Sequence, residues 1–477
     1  MILTGTLTFS DFNFSFVFDE KLLRIIPITE ENRVILFGVK DEKISDGVTQ
    51  FIPQPLQVIE DKYIIGFCNE TSSKIVFFPV SGTHINSINN LFNPKAPVSI
   101  PLSAYILFDS EKETIDRMAI CCPELNYIHP ITQALEHQFS MEGLSTGEVS
   151  VNTIPFDQTT TEKQTFAFKE KTVGIYFGIS IKLSNKIHEA PLTLTSTMYF
   201  EFEPTEDYSF ILDLWRIARQ FVRFLCYRRN ICIPQIELSA PAEEGKHEKN
   251  AILHLLEEKC ETELKPLEKG RYIKQQYIAG HEGEILTDII EKTICTRHLP
   301  DTSSFGRSIT AARFVMITAA FEWEFKRAYP SGINHSKASM RASAEVEKQL
   351  QELYEESKGK KKKIYKRLLG NVYFDSLASE ICQAAKDYSH IVGVFGEQLF
   401  ALNDEKLDYS QMGTRLADQR NAFAHGKLDI ELNGLSLLDL AYIEFLIYAM
   451  QLKKYNIDEE KIQKAINELF GRNVALK

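Results

Sequence analysis

The chain has 477 residues, of which 44% are hydrophobic and 25% charged, and its formal net charge is −11. This composition is typical of a soluble globular protein with several domains, and it excludes a wholly disordered chain, a collagen-like repeat and a small disulfide-stapled domain. The negative charge argues against a protein that coats nucleic acid through overall positive charge, so any such contact has to be local. Residues 301–477 hold 25 basic and 24 acidic residues, against 29 and 41 in the first 300, so the C-terminal third is the better candidate for binding a polyanion.

Cysteine usage and the missing targeting signals predict a cytoplasmic protein. The eight cysteines include no Cys-x2-Cys pair, which indicates reduced thiols and no metal site. The N-terminus has no basic segment followed by an apolar run, and no apolar stretch of about 18 residues occurs, so we expect neither secretion nor a membrane span. No phosphate-binding loop or dinucleotide glycine fingerprint is present, and no cofactor is expected.

The front of the chain is expected to be β-rich. Sixteen of the 17 prolines lie at or before Pro300, and the last is Pro330. Aromatic and β-branched segments that alternate with polar residues, such as KIVFFPV and LTLTSTMYFEFE, predict a sandwich or barrel-like domain over residues 1–205. An amphipathic helical stretch then starts a mixed helical connector, residues 206–300. The β-rich front has no evident catalytic cluster, and a sensor, an autoinhibitory domain or a scaffold would fit it.

The proline-free back of the chain is expected to be an all-helical bundle, residues 301–477, which makes the fold class α+β with several domains. The predicted helices lie near 303–329, 337–357, 361–392, 408–425 and 435–470, the last broken around Asn456. In the first of them, Glu322 and Glu324 lie two residues apart, so they do not share a face. We expect both to be surface charges, although one of them could approach the helix at 408–425.

One segment within this region, RLADQRNAFAHGKLD at 415–429, combines residues suited to chemistry. Asn421 and His425 are four residues apart and share a helix face, whereas Arg420 and His425 are about 140° apart around the axis. Arg420 therefore has to reach around, or the helix has to change course near His425. Gly426 favours a helix end there. An imidazole at that end would sit at the negative end of the helix dipole, which favours its protonated form.

The string Arg420-Asn421-x3-His425 in a helical bundle resembles the Arg-x4-6-His signature of HEPN domains. A long β-rich region before such a bundle is similar to the ApeA group of bacterial antiphage proteins. The resemblance implies a metal-independent endoribonuclease that cuts host or phage RNA and arrests growth, with a phage-derived trigger as a further partner. It also implies a homodimer, or a larger assembly built on one, in which the motif helices pair across a two-fold axis.

In that chemistry the ribose 2′-hydroxyl attacks the adjacent phosphate, which requires a proton acceptor, a proton donor and positive charge on the phosphate. His425 suits the proton transfers, Arg420 suits the phosphate, and Asn421 suits orientation of either by hydrogen bonding. One histidine per chain does not easily serve as both acid and base, which agrees with a paired site.

Several alternatives remain at the level of sequence. The motif could be a helix end with a hydrogen-bonded histidine and with Arg420 paired to an acidic residue. Arg415 and Asp418 could assist the motif, but we expect them to form a surface salt bridge. The chain could instead be a non-catalytic helical dimerisation module whose β-domain binds a protein or glycan partner, or a metal-dependent nuclease.

A lysine-rich segment is the second candidate for RNA contact, since seven of the ten residues 358–367 are Lys or Arg and Tyr365 lies among them. Such a segment suits a phosphate backbone with some base stacking, and it equally suits a solvated turn between two helices. The residues assigned to RNA binding are Lys360, Lys361, Lys362, Lys363, Lys366 and Arg367.

Overall fold

The computed structural model describes the chain except for residues 1, 10–11, 20, 27, 30–38, 45–47, 54–56, 59–61, 83, 86–97, 139–149, 244–245, 257–260, 334, 374, 427–430, 433 and 477. An antiparallel β region is followed by a helical region, which confirms the predicted α+β class. The chain divides into two compact units. Unit 1 comprises Met1–Arg223, Asn230–Leu264 and Ala279–Ile290, and unit 2 comprises Phe224–Arg229, Lys265–Ile278 and Glu291–Lys477.

The strands belong to unit 1. In chain order they are β1 (Ile2–Phe9), β2 (Phe12–Asp19), β3 (Leu22–Ile26), β4 (Val39–Ile44), β5 (Val48–Pro53), β6 (Gln57–Val58), β7 (Ile64–Cys68), β8 (Lys74–Pro79), β9 (His84–Ile85), β10 (Val98–Phe108), β11 (Ile115–Cys121), β12 (Leu135–Gln138), β13 (Ser150–Thr153), β14 (Gln164–Phe168), β15 (Lys171–Leu183), β16 (Leu192–Thr205), β17 (Gln235–Pro241) and β18 (His247–Leu255).

Six of the described strands close into a barrel in the order β10-β3-β2-β1-β7-β8, because β8 pairs back onto β10. Every second residue of β2 is buried, so Phe14, Phe16 and Phe18 all contribute to the apolar core of this barrel. An added Cβ at Gly5 would lie 2.0 Å from the carbonyl oxygen of Phe67, so glycine permits the close approach of β1 and β7. Of the two predicted β architectures, the barrel-like one is observed.

The sheet continues beyond the barrel through β10, whose first residues pair with β3 and whose last residues pair with β18. From there the order is β18-β17-β11-β16-β15-β14. β17 and β18 fall within residues 206–300, which the sequence assigned to a separate connector. The structure differs from that division, because the ladder hydrogen bonds of these two strands are made inside the sheet of unit 1.

Short helices and one long helix lie in the first 300 residues. They are α1 (Leu125–Ile128), α2 (Phe156–Thr159), α3 (Tyr208–Cys226), α4 (Leu264–Glu268), α5 (Gln275–Ile278) and α6 (Glu282–Glu291). The helical region of unit 2 follows as α7 (Ala311–Ala328), α8 (Lys337–Glu356), α9 (Gly359–Leu369), α10 (Leu377–Asp387), α11 (Ser389–Ala401), α12 (Tyr409–Ala424), α13 (Gly434–Lys453) and α14 (Glu459–Leu469).

The helices of unit 2 agree with the predicted ones except in the middle and at the start of the first, which begins at Ala311 rather than near residue 303. The single helix predicted over 361–392 is wrong, because the chain is interrupted after Leu369 and again at Tyr388. Ser376 starts a new helix there, since its side chain accepts a hydrogen bond from the amide of Ser379. The predicted break near Asn456 is confirmed, and that residue has a φ of 57°.

α13 forms the core of unit 2. It is the one helix of the described residues that is long and apolar enough to cross a membrane, and 78% of its most apolar window is buried inside the protein. Such burial is typical of the core helix of a soluble protein. α13 contacts α7, α11, α12 and α14, so it fixes the position of the helix that carries the motif.

Candidate functional site

The motif lies at the C-terminal end of α12. Asp408 caps the start of this helix by accepting hydrogen bonds from the amides of Ser410, at 2.9 Å, and Gln411, at 3.3 Å. At the other end the amide of His425 donates to the carbonyl of Asn421 at 3.0 Å, and Gly426 has a left-handed φ of 79°. The helix therefore ends where Gly426 predicted, and its last turn presents the motif.

α12 has one buried and one exposed face. Met412, Leu416 and Phe423 are buried against the bundle, whereas Asn421 and His425 are exposed. The His425 side chain makes no hydrogen bond to any described residue. The alternative of a purely structural helix end required a hydrogen-bonded histidine, and the described residues contain no such bond. The imidazole is therefore open to a ligand.

Arg420 lies beside this face and is held by a carboxylate from α7. Its Nη2 is 3.2 Å from Oε2 of Glu322, and its Nη1 donates to Oδ1 of Asn421 at 3.3 Å. The side chains of Arg420 and Glu322 are 33% and 25% exposed. A pair of this exposure contributes about 0–1 kcal/mol, so a phosphate could displace Glu322 at modest cost. The same alternative also required Arg420 to pair with an acidic residue, and that part of it is observed.

Glu324, two residues further along α7, is fully buried. It pairs with Arg327 at 2.7 Å and accepts hydrogen bonds from the Gln451 side chain, at 2.8 Å, and from the Cys295 amide, at 2.7 Å. The prediction that both glutamates are surface charges is wrong. Glu324 faces the core of unit 2, and Glu322 approaches the motif helix.

Arg415 serves to anchor α12. Its Nε and Nη2 donate to the two carboxylate oxygens of Asp439 on α13, at 2.7 and 2.8 Å, and Asp439 is completely buried. The expected surface salt bridge between Arg415 and Asp418 is therefore wrong, because the fully buried carboxylate of Asp439 takes the guanidinium instead. α12 and α10 also pack very closely, since an added Cβ at Gly413 would lie 2.2 Å from the carbonyl oxygen of Ala378.

Glu380 on α10 is a charged neighbour that the sequence analysis did not single out. Its side chain is only 6% exposed. Burial, together with the nearby charges of Glu322 and Asp375 and against the opposing charge of Lys326, raises the pKa of this carboxyl to about 7. A proton is thus exchanged near neutral pH beside the Glu322–Arg420 pair. In the sequence Glu380 is an ordinary acidic residue in the first turn of a capped helix, and no signal distinguishes it.

The lysine-rich segment is a helix, α9, rather than a turn. Lys362 is half-buried with its Nζ 4.7 Å from the centre of the Tyr354 ring. Among the described residues none of the assigned side chains has an ion pair, and no hydrogen bond joins α9 to α12. The five remaining assigned residues are all exposed, and they are Lys360, Lys361, Lys363, Lys366 and Arg367.

Unit 1 contains a polar cluster that the sequence analysis missed. His247 places its Nδ1 3.0 Å from Asp116 and its Nε2 3.2 Å from Glu201. The Tyr176 hydroxyl donates to Glu201 at 2.6 Å, and Lys163 pairs with the same carboxylate. Asp116, Tyr176 and Lys163 are thus further partners of Glu201 and His247, which lie on β16 and β18 with two strands between them, so the cluster is suited to stabilising the sheet.

The motif site presents a guanidinium, a carboxamide and an imidazole on the last one and a half turns of one helix, in a surface position. Such groups can bind a phosphate and exchange a proton with it. Within the described residues, no group of three or more His, Cys, Asp or Glu is arranged to hold a metal ion. Comparisons with family models, with curated proteins and with solved structures found no match to this chain.

Proposed function

We propose that the chain is a metal-independent endoribonuclease whose site consists of Arg420, Asn421 and His425. The observation that carries the proposal is the exposed imidazole of His425 at the end of α12, which has no hydrogen bond within the described residues. It lies one turn from Asn421 and near an exchangeable Arg420–Glu322 pair. The spacing of these residues resembles the HEPN signature, and this resemblance is the reason for proposing RNA cleavage as the reaction.

In this reaction the ribose 2′-oxygen forms a bond to phosphorus while the bond from phosphorus to the 5′-oxygen breaks. His425 of one copy takes the proton from the 2′-hydroxyl, and the protonated histidine of a second copy gives a proton to the departing 5′-oxygen. Arg420 leaves Glu322 and binds the phosphate oxygens as negative charge builds up on them. Asn421 orients the phosphate or the imidazole.

The need for two histidines leads to a two-fold dimer, and α7 offers a surface for it. Met316 and Trp323 lie seven residues apart on one face of α7 and are 38% and 53% exposed. The exposed residues Ala312 and Ala319 lie on the same face, so the four form an apolar stripe. Glu322, the partner of Arg420, borders this apolar stripe. A second copy that packs on the stripe would therefore bring its motif helix towards the first.

The dimer is tested by Trp323→Glu, which replaces the largest apolar side chain of the stripe by a charge. We expect a monomer in sedimentation velocity, with loss of RNA cleavage. Leu402→Glu is the matched control, because Leu402 is also exposed in unit 2 but follows α11 instead of belonging to α7, and it should leave both the dimer and the cleavage unchanged. A Trp323→Glu protein that cleaves RNA as a monomer would refute the paired site.

Cleavage is tested with purified protein and RNA in the presence of EDTA. His425→Ala and Arg420→Ala should abolish cleavage while leaving the circular dichroism spectrum unchanged. The matched controls are His390→Ala and Arg341→Ala, two exposed residues of unit 2 outside the motif, which should cleave like the wild type. Equal cleavage by the motif variants and the controls would make the motif structural, and dependence on a divalent metal would favour the rival nuclease class.

The biological role that we propose is antiphage defence by growth arrest in the bacterial cytoplasm, and it is supported by the resemblance to the ApeA group. The β-rich unit 1 would then restrain the ribonuclease until a phage-derived trigger binds. The basic residues of α9, which form no ion pair among the described residues, provide an electrostatic surface for the RNA backbone. Expression during phage infection of wild-type and His425→Ala protein tests this role, and equal protection by both would contradict it.

A non-catalytic interaction module is the second candidate, and one observation favours it. Neither α8 nor α9 has a buried residue, and the exposed side chains of this helical hairpin include Val346, Leu353, Ile364 and Leu368. Such a hairpin suits the binding of another protein. If His425→Ala leaves every activity of the chain intact while Val346→Glu removes one, the interaction module is the better account.

A further inference from the structure

Unit 2 contains a second candidate site away from α12, an open cavity of about 310 Å³. Its apolar lining includes Tyr227, Phe470, Pro266 and Pro300. The rings of Tyr227 and Phe470 have centroids 5.0 Å apart, and both side chains are only half-buried. Part of each aromatic surface is therefore available to a ligand.

The cavity also has a basic lining. Lys269, Arg271 and Arg307 line it, and none of them forms an ion pair within the described residues. The one carboxylate in the lining belongs to Glu444, which accepts a hydrogen bond from the Tyr227 hydroxyl and pairs with Arg313 at 2.8 Å. Because Arg313 compensates Glu444, the charge of the lining is positive.

The guanidinium group of Arg271 interacts electrostatically with those of Arg307 and Arg472, and none of the three forms an ion pair within the described residues. Burial lowers the pKa of Arg271, and the positive charge of Arg307 lowers it further. Burial and the charge of Arg271 likewise lower the pKa of Arg472, whose buried Nε has no hydrogen-bond partner in the described chain. Like charges repel, so an anion in the cavity would relieve an unfavourable arrangement.

Contacts outside the cavity hold the backbone turn of Arg307 and the side chain of Arg271 in place. Arg313 donates to the carbonyl oxygens of Phe305, at 3.0 Å, and Ser308, at 3.3 Å, and thereby fixes the turn that carries Arg307. Gly471 has a left-handed φ of 49°, and an added Cβ there would lie 1.9 Å from Cζ of Arg271. The Arg271 guanidinium is thus packed directly on the Gly471 backbone, which prepares the site for its ligand.

We propose that this cavity binds a mononucleotide, with the phosphate on Arg271, Arg307 and Lys269 and the base against Tyr227 and Phe470. Planar guanidinium groups bind phosphate oxygens in pairs, and aromatic rings stack on nucleobases. A volume at the low end of the usual range for ligand pockets, about 300–1,000 Å³, suits one nucleotide. The nucleotide is either a free metabolite or the 5′-phosphorylated end of an RNA, and the site is independent of the proposed ribonuclease activity.

Isothermal titration calorimetry on the full chain tests the proposal, with AMP, UMP, adenosine, inorganic phosphate and a 5′-phosphorylated RNA tetranucleotide as probes. We expect AMP or UMP to bind about tenfold more tightly than adenosine or phosphate, because each of the latter lacks one half of the contacts. Binding of the tetranucleotide at the affinity of the mononucleotide identifies an RNA end as the ligand, and its exclusion identifies a free nucleotide. Absence of binding by both AMP and UMP at millimolar concentration, or equal binding of phosphate alone, overturns the proposal.

Two variants connect that binding to the named residues. Arg307→Ala changes an exposed side chain at the cavity and should weaken nucleotide binding about tenfold, as expected for loss of charged hydrogen bonds. Gly471→Ala should weaken it by displacing Arg271, whereas the exposed Arg341→Ala should not change it. If Gly471→Ala fails to fold, Arg307→Ala still decides the question, and unchanged affinity in that variant refutes the site. No arm relies on RNA cleavage, so this inference and the ribonuclease proposal fail separately.

Discussion

Replacing Glu380 by glutamine is expected to stabilise unit 2 at alkaline pH and to have little effect at acidic pH. Glu380 is buried on α10, and its pKa is raised from the ordinary 4.5 to about 7 by burial and by Glu322. At about 1.36 kcal/mol per pKa unit, the difference corresponds to about 3 kcal/mol. A carboxyl whose pKa is raised by folding stabilises the fold below pH 4.5, and this contribution is lost as the pH rises through 7. Glutamine is neutral throughout, so the benefit of Glu380→Gln grows between pH 5 and pH 8 towards that magnitude.

Urea denaturation at pH 5 and pH 8 measures this effect. The two tryptophans are Trp215 in unit 1 and Trp323 in unit 2, so a Trp215→Phe background makes the fluorescence report on unit 2 alone. Glu352→Gln, at an exposed position of α8, is the control and should change stability little at either pH. The reasoning is refuted if Glu380→Gln has the same effect at both pH values or destabilises the unit at pH 8.

Three further predictions follow from the packing and charge of unit 2. Arg415→Ala leaves the carboxylate of Asp439 buried and unpaired, and should lower the free energy of unfolding by about 3–5 kcal/mol in urea denaturation. A loss below about 1 kcal/mol would show that water or another cation compensates the carboxylate. Gly413→Ala forces a methyl group against the Ala378 carbonyl and should cost about 1–3 kcal/mol, whereas an unchanged melting temperature would mean that α10 and α12 separate freely. Lys361→Ala should weaken RNA binding to all sequences and reduce the salt dependence of the binding constant by about one ion, and an unchanged salt dependence would remove α9 from the RNA surface.

The class of fold followed from proline distribution and hydrophobic periodicity, but its division into units did not. β17 and β18 are short strands that follow the long helix α3. Their local sequence does not predict that they pair between β10 and β11. Such pairing is set by contacts far apart in the chain. The helix predicted over 361–392 failed for a local reason, since the cap formed by Ser376 was not recognised within an otherwise helical pattern.

Within the site, the sequence predicted what depends on one helix and missed what depends on its neighbours. The end of α12 at Gly426 followed from the preference of glycine for a left-handed conformation after a helix. The partners of Arg415 and Arg420 lie on α13 and α7, so spacing along α12 gave no information about them. Glu380 became notable only through its burial, which a single sequence does not express.

The central claim is that His425 and Arg420 promote attack by the ribose 2′-hydroxyl, and the chemistry of the cleaved ends tests it most directly. An RNA oligonucleotide cut in EDTA should yield a 2′,3′-cyclic phosphate on one product and a 5′-hydroxyl on the other. A single 2′-deoxyribose at the cut site should block cleavage there, and His425→Ala should yield no product from either RNA. Products that carry a 5′-phosphate, or efficient cutting at the deoxyribose, would contradict the account.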